Sequence, residues 1–60
     1  MKNTNIAIFE RNEKFLGALC EYFEKTDGFT VCATALSGDA ALEALKANKP
    51  DVAIIDTALK

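Results

Sequence analysis

The chain has 60 residues, of which 50% are apolar and 27% are charged, and its formal net charge is −2. This length allows at most one small domain, which would bury only about 60% of its unfolded surface, and the composition is globular rather than disordered. No basic stripe indicates contact with nucleic acid by this segment, and no apolar run reaches the roughly 18 residues of a membrane span.

Three apolar segments alternate with two helical patterns along the chain. Continuous apolar or β-branched residues predict strands at about 5–9, 29–36 and 51–56. Apolar residues at helical spacing predict helices at about 13–25 and 38–47. The residues expected to face the core are Leu16, Leu19, Cys20 and Phe23 on the first helix, and Ala41, Leu42, Ala44 and Leu45 on the second.

Local signals mark the ends of both helices. Asn12 and Ser37 precede them and are expected to accept hydrogen bonds from amides of the first turns. Gly28 suits the left-handed turn after the first helix, and Pro50 cannot continue the second. The β-α-β-α-β order predicts an α/β domain over 1–60, with a parallel sheet and right-handed crossovers.

Cys20 and Cys32 lie in neither a CxxC nor a metal-ligand pattern, and the chain has no histidine. We expect two small buried residues in a reducing compartment, with a disulfide as the alternative. The N-terminal MKNTN stretch lacks the apolar core of a signal peptide. A cytoplasmic protein without membrane contact is therefore expected.

Charged residues follow two of the predicted strands. If the first strand lies between the other two, Glu10, Arg11 and Asp56 meet at the carboxyl edge of the sheet, where ligands bind in such folds. Carboxylates there could hold Mg²⁺, and one beside the metal could act as a nucleophile towards a phosphoryl group. The alternative is that these acids are solvated loop residues.

Motifs along nearly the whole chain resemble one family. They are IAIFERN at the first strand, LCEYFEKTDGFTVCATALSGDAALEAL across the helices, and KPDVAIID before Asp56. The chain resembles the N-terminal half of a response-regulator receiver domain from bacterial two-component signalling. The resemblance implies a flavodoxin-like, doubly wound sheet with strand order 2-1-3.

The resemblance also implies roles for individual residues. Asp56 matches the phosphoacceptor that takes a phosphoryl group from a sensor histidine kinase, and Glu10 and Arg11 match the paired acids of the Mg²⁺ site. Ala58 matches the position whose backbone carbonyl completes that site. The resemblance implies a function in phosphorelay signalling and not an enzymatic function. A longer chain would carry an output domain, which in this family is commonly a DNA-binding regulator of transcription.

Arg11 departs from the family pattern because it replaces an acidic metal ligand. We expect weakened or absent Mg²⁺ binding, since the substitution changes the local charge by two units. The guanidinium would either take the metal's place beside Asp56 or Glu10, or turn into solvent.

The resemblance covers only half of a receiver domain. The family's hydroxyl residue after the fourth strand and its lysine after the fifth have no counterparts, and the third strand is expected to be an uncovered apolar edge. The chain is then expected to be either a fragment of a longer protein or a half-domain that forms a homodimer through that edge. A degenerate receiver, used as a phosphorylation-independent interaction or dimerisation module, is the alternative function that Arg11 favours. An unrelated phosphate-binding domain is disfavoured, because no Gly-rich loop follows the first strand.

Overall fold

The computed structural model describes residues 3–58, which form five elements in the predicted order. They are β1 (Thr4–Phe9), α1 (Glu13–Glu24), β2 (Phe29–Ala35), α2 (Gly38–Ala47) and β3 (Val52–Ile55). Their ends differ by no more than one residue from the predicted ones. The predicted domain 1–60 also includes residues 1, 2, 59 and 60, which lie outside the described part. Within residues 3–58, neither helix has the length and apolar character needed to cross a membrane.

The three strands form one parallel sheet with the order β2-β1-β3. Phe9, at the end of β1, pairs with Ala35 on one side and with Ile55 on the other. This arrangement confirms the predicted α/β class, the parallel sheet and the strand order 2-1-3. The carboxyl ends of all three strands consequently lie at one edge.

The central strand is buried on both faces, as its continuous apolar run predicts. Ile6, Ala7, Ile8 and Phe9 are each at most 2% exposed. Successive side chains of a strand alternate between faces, so Ile6 and Ile8 lie on one side of the sheet and Ala7 and Phe9 on the other. Both sides therefore need a covering helix.

Each helix covers a different face of the sheet. Ala41 of α2 packs with Ala7, Phe9 and Ala35 in the buried core. Because β2 and β3 lie on opposite sides of β1, right-handed crossovers place α1 on the other face. An edge-to-face contact between Phe23 and Phe29, with ring centroids 5.4 Å apart, ties α1 to β2.

A bulge in β2 alters which faces its residues occupy. The pairing shifts so that Val31 lies opposite Ile6 while Ala33 lies opposite Ala7, leaving Cys32 as the extra residue. Ala33 accordingly packs against the α2 side of the core. Cys20 and Cys32 are both half-buried, and both are free thiols. The structure therefore contains no disulfide between these two residues.

Two residues of the predicted inner face of α2 are exposed instead. Leu42 is 60% and Leu45 is 38% exposed, whereas Ala41 is buried and Ala44 is half-buried. The helix packs onto the sheet through its alanines, next to β2 rather than over β3. The prediction was wrong for the two leucines because no described element lies beside them to cover them.

The predicted apolar edge at β3 is present. Val52 is 48% and Ile55 is 58% exposed. In residues 3–58, β3 pairs only with β1, and neither helix packs closely over it. The outer side of β3 therefore offers both unpaired backbone groups and apolar side chains to solvent.

Candidate functional site

The backbone of β1 brings the predicted site residues to one edge of the sheet. The Asp56 N–H donates to the Phe9 carbonyl oxygen at 2.9 Å, and the Glu10 N–H donates to the Ala35 carbonyl oxygen at 3.0 Å. Glu10 thus continues the pairing of β1 with β2, while Asp56 continues the pairing of β3 with β1. The crevice between these strand ends is where the strand order reverses, which is the usual ligand site of open parallel sheets.

Glu10 is held against the start of α1. Its Oε2 accepts a hydrogen bond from the Asn12 N–H at 2.8 Å. Asn12 in turn accepts from the Phe15 N–H through its Oδ1 at 3.0 Å, which confirms the predicted N-cap. The half-buried Glu10 carboxylate is consequently oriented by the turn that leads from β1 into α1.

Asp56 sits in a local turn of its own at the end of β3. Its Oδ1 accepts a hydrogen bond from the Ala58 N–H at 3.0 Å. That hydrogen bond is the main cause that lowers the pKa of Asp56, whereas partial desolvation raises this pKa. The smaller causes that lower the pKa are the Glu10 side chain, the Arg11 backbone N–H and the Arg11 charge. Asp56 is therefore an ionised carboxylate in neutral solution.

Arg11 follows Glu10 directly in the chain, and its side chain is exposed. In the described part of the chain the ion pairs are Lys25–Glu21 at 2.7 Å and Lys46–Glu43 at 3.7 Å, and neither includes Arg11. The Arg11 side chain was expected either to take the place of the metal or to turn into solvent, and the structure shows it turned into solvent. The positive charge of Arg11 is the smallest of the causes that lower the pKa of Asp56, and within residues 3–58 the two side chains form no salt bridge.

Glu10 and Asp56 are the candidate ligands for a divalent cation at this edge. Glu10 and Asp56 supply two carboxylates, and residues 3–58 contain no group of three or more acidic, histidine or cysteine ligands. Mg²⁺ is commonly bound by one or two carboxylates with waters in its other positions, and the positive charge of Arg11, next to Glu10 in the chain, would weaken its attraction to such a site. The structure records the N–H of Ala58 as a donor to Asp56, and a metal-binding role for the Ala58 carbonyl stays a prediction.

A further acid supports the site from the opposite end of β3. Asp51 Oδ2 accepts a hydrogen bond from the Asn5 N–H at 2.8 Å. From the sequence, Asp51 was expected at the start of the third strand and within the KPDVAIID motif, and no hydrogen bond was predicted for it. An acid between a helix-ending proline and a strand is the signal that could have revealed it, since Asp readily accepts a nearby backbone N–H.

Comparisons of the chain with protein-family models, curated protein sequences and solved structures find no match. No relative therefore supplies a function for Glu10, Arg11 or Asp56. What the site does has to be inferred from its own residues and from their place in the fold.

Proposed function

We propose that the chain is the N-terminal half of a flavodoxin-like receiver domain, in which Asp56 accepts a phosphoryl group from a sensor histidine kinase. The observation that carries the proposal is the meeting of Asp56 and Glu10 at adjacent carboxyl ends of β3 and β1. Asp56 is half exposed there, within reach of an incoming phosphodonor. In a longer chain, the modification would act on an output domain, such as a DNA-binding regulator in the cytoplasm.

The proposed chemistry is a phosphoryl transfer to a carboxylate. An Asp56 oxygen forms the new O–P bond while the P–N bond of the phosphohistidine breaks, and the leaving imidazole takes up a proton. Because Oδ1 accepts the Ala58 N–H, Oδ2 is the proposed nucleophile. The lowered pKa of Asp56, caused first by that N–H, keeps the nucleophile ionised.

Chemical phosphorylation tests this assignment. The intact protein is incubated with phosphoramidate and Mg²⁺ and its mass is measured. We expect one added phosphoryl group, released by hydroxylamine and absent from Asp56→Asn. Asp27→Asn is the matched control, because Asp27 is exposed in the turn before β2, at the end of the sheet opposite to Asp56, and its substitution should leave the label intact. A label that survives Asp56→Asn would rule out Asp56 as the acceptor.

The open edge of β3 favours a second function, a degenerate receiver that acts as a phosphorylation-independent dimerisation module. Val52 and Ile55 are about half exposed on a strand that, within residues 3–58, pairs on one side only. Light scattering should then give twice the 6.5 kDa chain mass.

Two lysine substitutions distinguish dimerisation through the β3 edge from nonspecific hydrophobic association. Ile55→Lys on β3 should return the mass to the monomer value. Tyr22→Lys on α1 is the control, since Tyr22 is similarly exposed at 64% but lies away from the edge. A monomeric wild-type protein at all concentrations would contradict the dimerisation function.

A further inference from the structure

Arg11 places one positive charge at the edge of the sheet where Glu10 and Asp56 place two negative charges. Glu10 and Asp56 are two carboxylates, and Arg11 follows Glu10 directly in the chain. These three side chains together carry a single net negative charge, which attracts a divalent cation weakly. A phosphoryl group on Asp56 would carry roughly two negative charges and would lie close to Glu10. A positive charge nearby is therefore needed to compensate for them.

Arg11 is placed to be that cation. The Asp56 N–H donates to the carbonyl oxygen of Phe9, which lies only two residues before Arg11. The Arg11 side chain is exposed and has no ion pair with any residue in 3–58, so no existing bond has to break before it binds another anion. A guanidinium can bind two phosphoryl oxygens through parallel N–H donors, which makes arginine well suited to phosphate.

We propose that Arg11 performs the charge compensation that a divalent cation would otherwise provide, by binding the oxygens of the phosphoryl group carried by Asp56. This inference rests on the proposed function of Asp56 as the phosphoacceptor. Its consequence is a receiver site that accepts and holds the phosphoryl group without Mg²⁺. The transfer itself is unchanged: the O–P bond to Asp56 forms, the donor's P–N bond breaks and the leaving nitrogen takes a proton.

The test is phosphoramidate labelling of the intact protein with Mg²⁺ and, in parallel, with EDTA. Wild-type protein should be labelled at Asp56 to within about twofold in the two conditions. Arg11→Asp restores an acid at this position, so its labelling in EDTA should fall by about tenfold and recover with Mg²⁺. Lys14→Asp, an equal charge change at an exposed position of α1, is the control and should behave like wild type.

Calorimetric titration with Mg²⁺ gives a second readout that does not depend on phosphorylation. Arg11→Asp should bind Mg²⁺ at least about tenfold more tightly than wild type, whereas Lys14→Asp should not. Wild-type labelling that requires Mg²⁺, or Arg11→Asp labelling that is as strong in EDTA as in Mg²⁺, overturns this inference and leaves the phosphoacceptor role standing. A complete lack of label at Asp56 in every condition rejects both.

Discussion

Asn5 and Asp51 are joined by two hydrogen bonds that run in opposite directions. The Asp51 N–H donates to the Asn5 carbonyl oxygen at 2.8 Å, and the Asn5 N–H donates to Asp51 Oδ2 at 2.8 Å. At the other end of β3, the Asp56 N–H donates to the Phe9 carbonyl oxygen. The short strand β3 is thus tied to β1 at both ends, and Asp51 helps to hold Asp56 at the candidate site.

Removing the Asp51 carboxylate should loosen β3. Asp51→Ala leaves the Asn5 N–H without its side-chain acceptor, and we expect a loss of about 1 kcal/mol in the free energy of unfolding. Asp51→Asn keeps an acceptor oxygen and should lose less. Urea unfolding followed by circular dichroism measures both changes. Equal losses in the two variants would mean that the hydrogen bond is not what stabilises this end of β3.

The two glycines Gly28 and Gly17 should respond in opposite directions to alanine. Gly28 has φ +94°, in the left-handed region that L side chains rarely adopt, so Gly28→Ala should destabilise the fold by about 1–2 kcal/mol. Gly17 lies inside α1, and a Cβ there meets no atom within 4 Å. Gly17→Ala should therefore stabilise the fold by about 0.5–1 kcal/mol, because alanine favours a helix interior.

Thermal unfolding of these two glycine variants and the wild type, at matched concentration, gives the measurement. The melting temperature should fall for Gly28→Ala and rise for Gly17→Ala. Shifts in the same direction for both variants would show that backbone conformation is not the deciding factor.

The side chain of Ser37 should contribute measurably to α2. Its Oγ accepts a hydrogen bond from the Ala40 N–H at 3.2 Å, in the first turn of the helix. Ser37→Ala should cost about 1 kcal/mol in the free energy of unfolding, while Ser37→Asp keeps a capping oxygen and should cost much less. Chemical denaturation compares the two, and a full loss in Ser37→Asp would contradict the capping role.

The thiol of Cys20 should be less reactive than a free cysteine. Burial raises the pKa of Cys20 from its ordinary value of 9.0, and the Glu24 carboxylate raises it further. A raised pKa lowers the thiolate fraction at pH 8, so alkylation by iodoacetamide should be slower than in the unfolded chain. The stability linked to this shift is present below pH 9.0 and is lost as the pH rises through the folded pKa.

A charge substitution tests the contribution of Glu24 to this reactivity. Glu24→Gln should raise the alkylation rate of Cys20 by roughly twofold, since one nearby negative charge is removed. Glu13→Gln, at the opposite end of the same helix, is the control and should leave the rate unchanged. Peptide mapping by mass spectrometry separates Cys20 from Cys32, and equal rates in the two variants would contradict a contribution from Glu24.

Local features were predictable because their causes lie within a few residues. Asn12 and Ser37 cap the helices that follow them, and Gly28 takes the left-handed conformation that its position after α1 indicated. The burial of β1 on both faces was also predictable, whereas its place between β2 and β3 was implied only by the family resemblance. Its apolar run is continuous, and only a strand covered on both faces can bury every residue of such a run.

The sequence by itself therefore determined the order of the elements, their caps and the residues that end each strand. Tertiary structure decided which side chains find a partner across the fold. It left Leu42 and Leu45 uncovered, joined Asp51 to Asn5, and turned Arg11 into solvent beside Asp56. Helix caps and strand periodicity depend on neighbours a few bonds away, whereas these outcomes depend on atoms far along the chain whose positions only the assembled sheet defines.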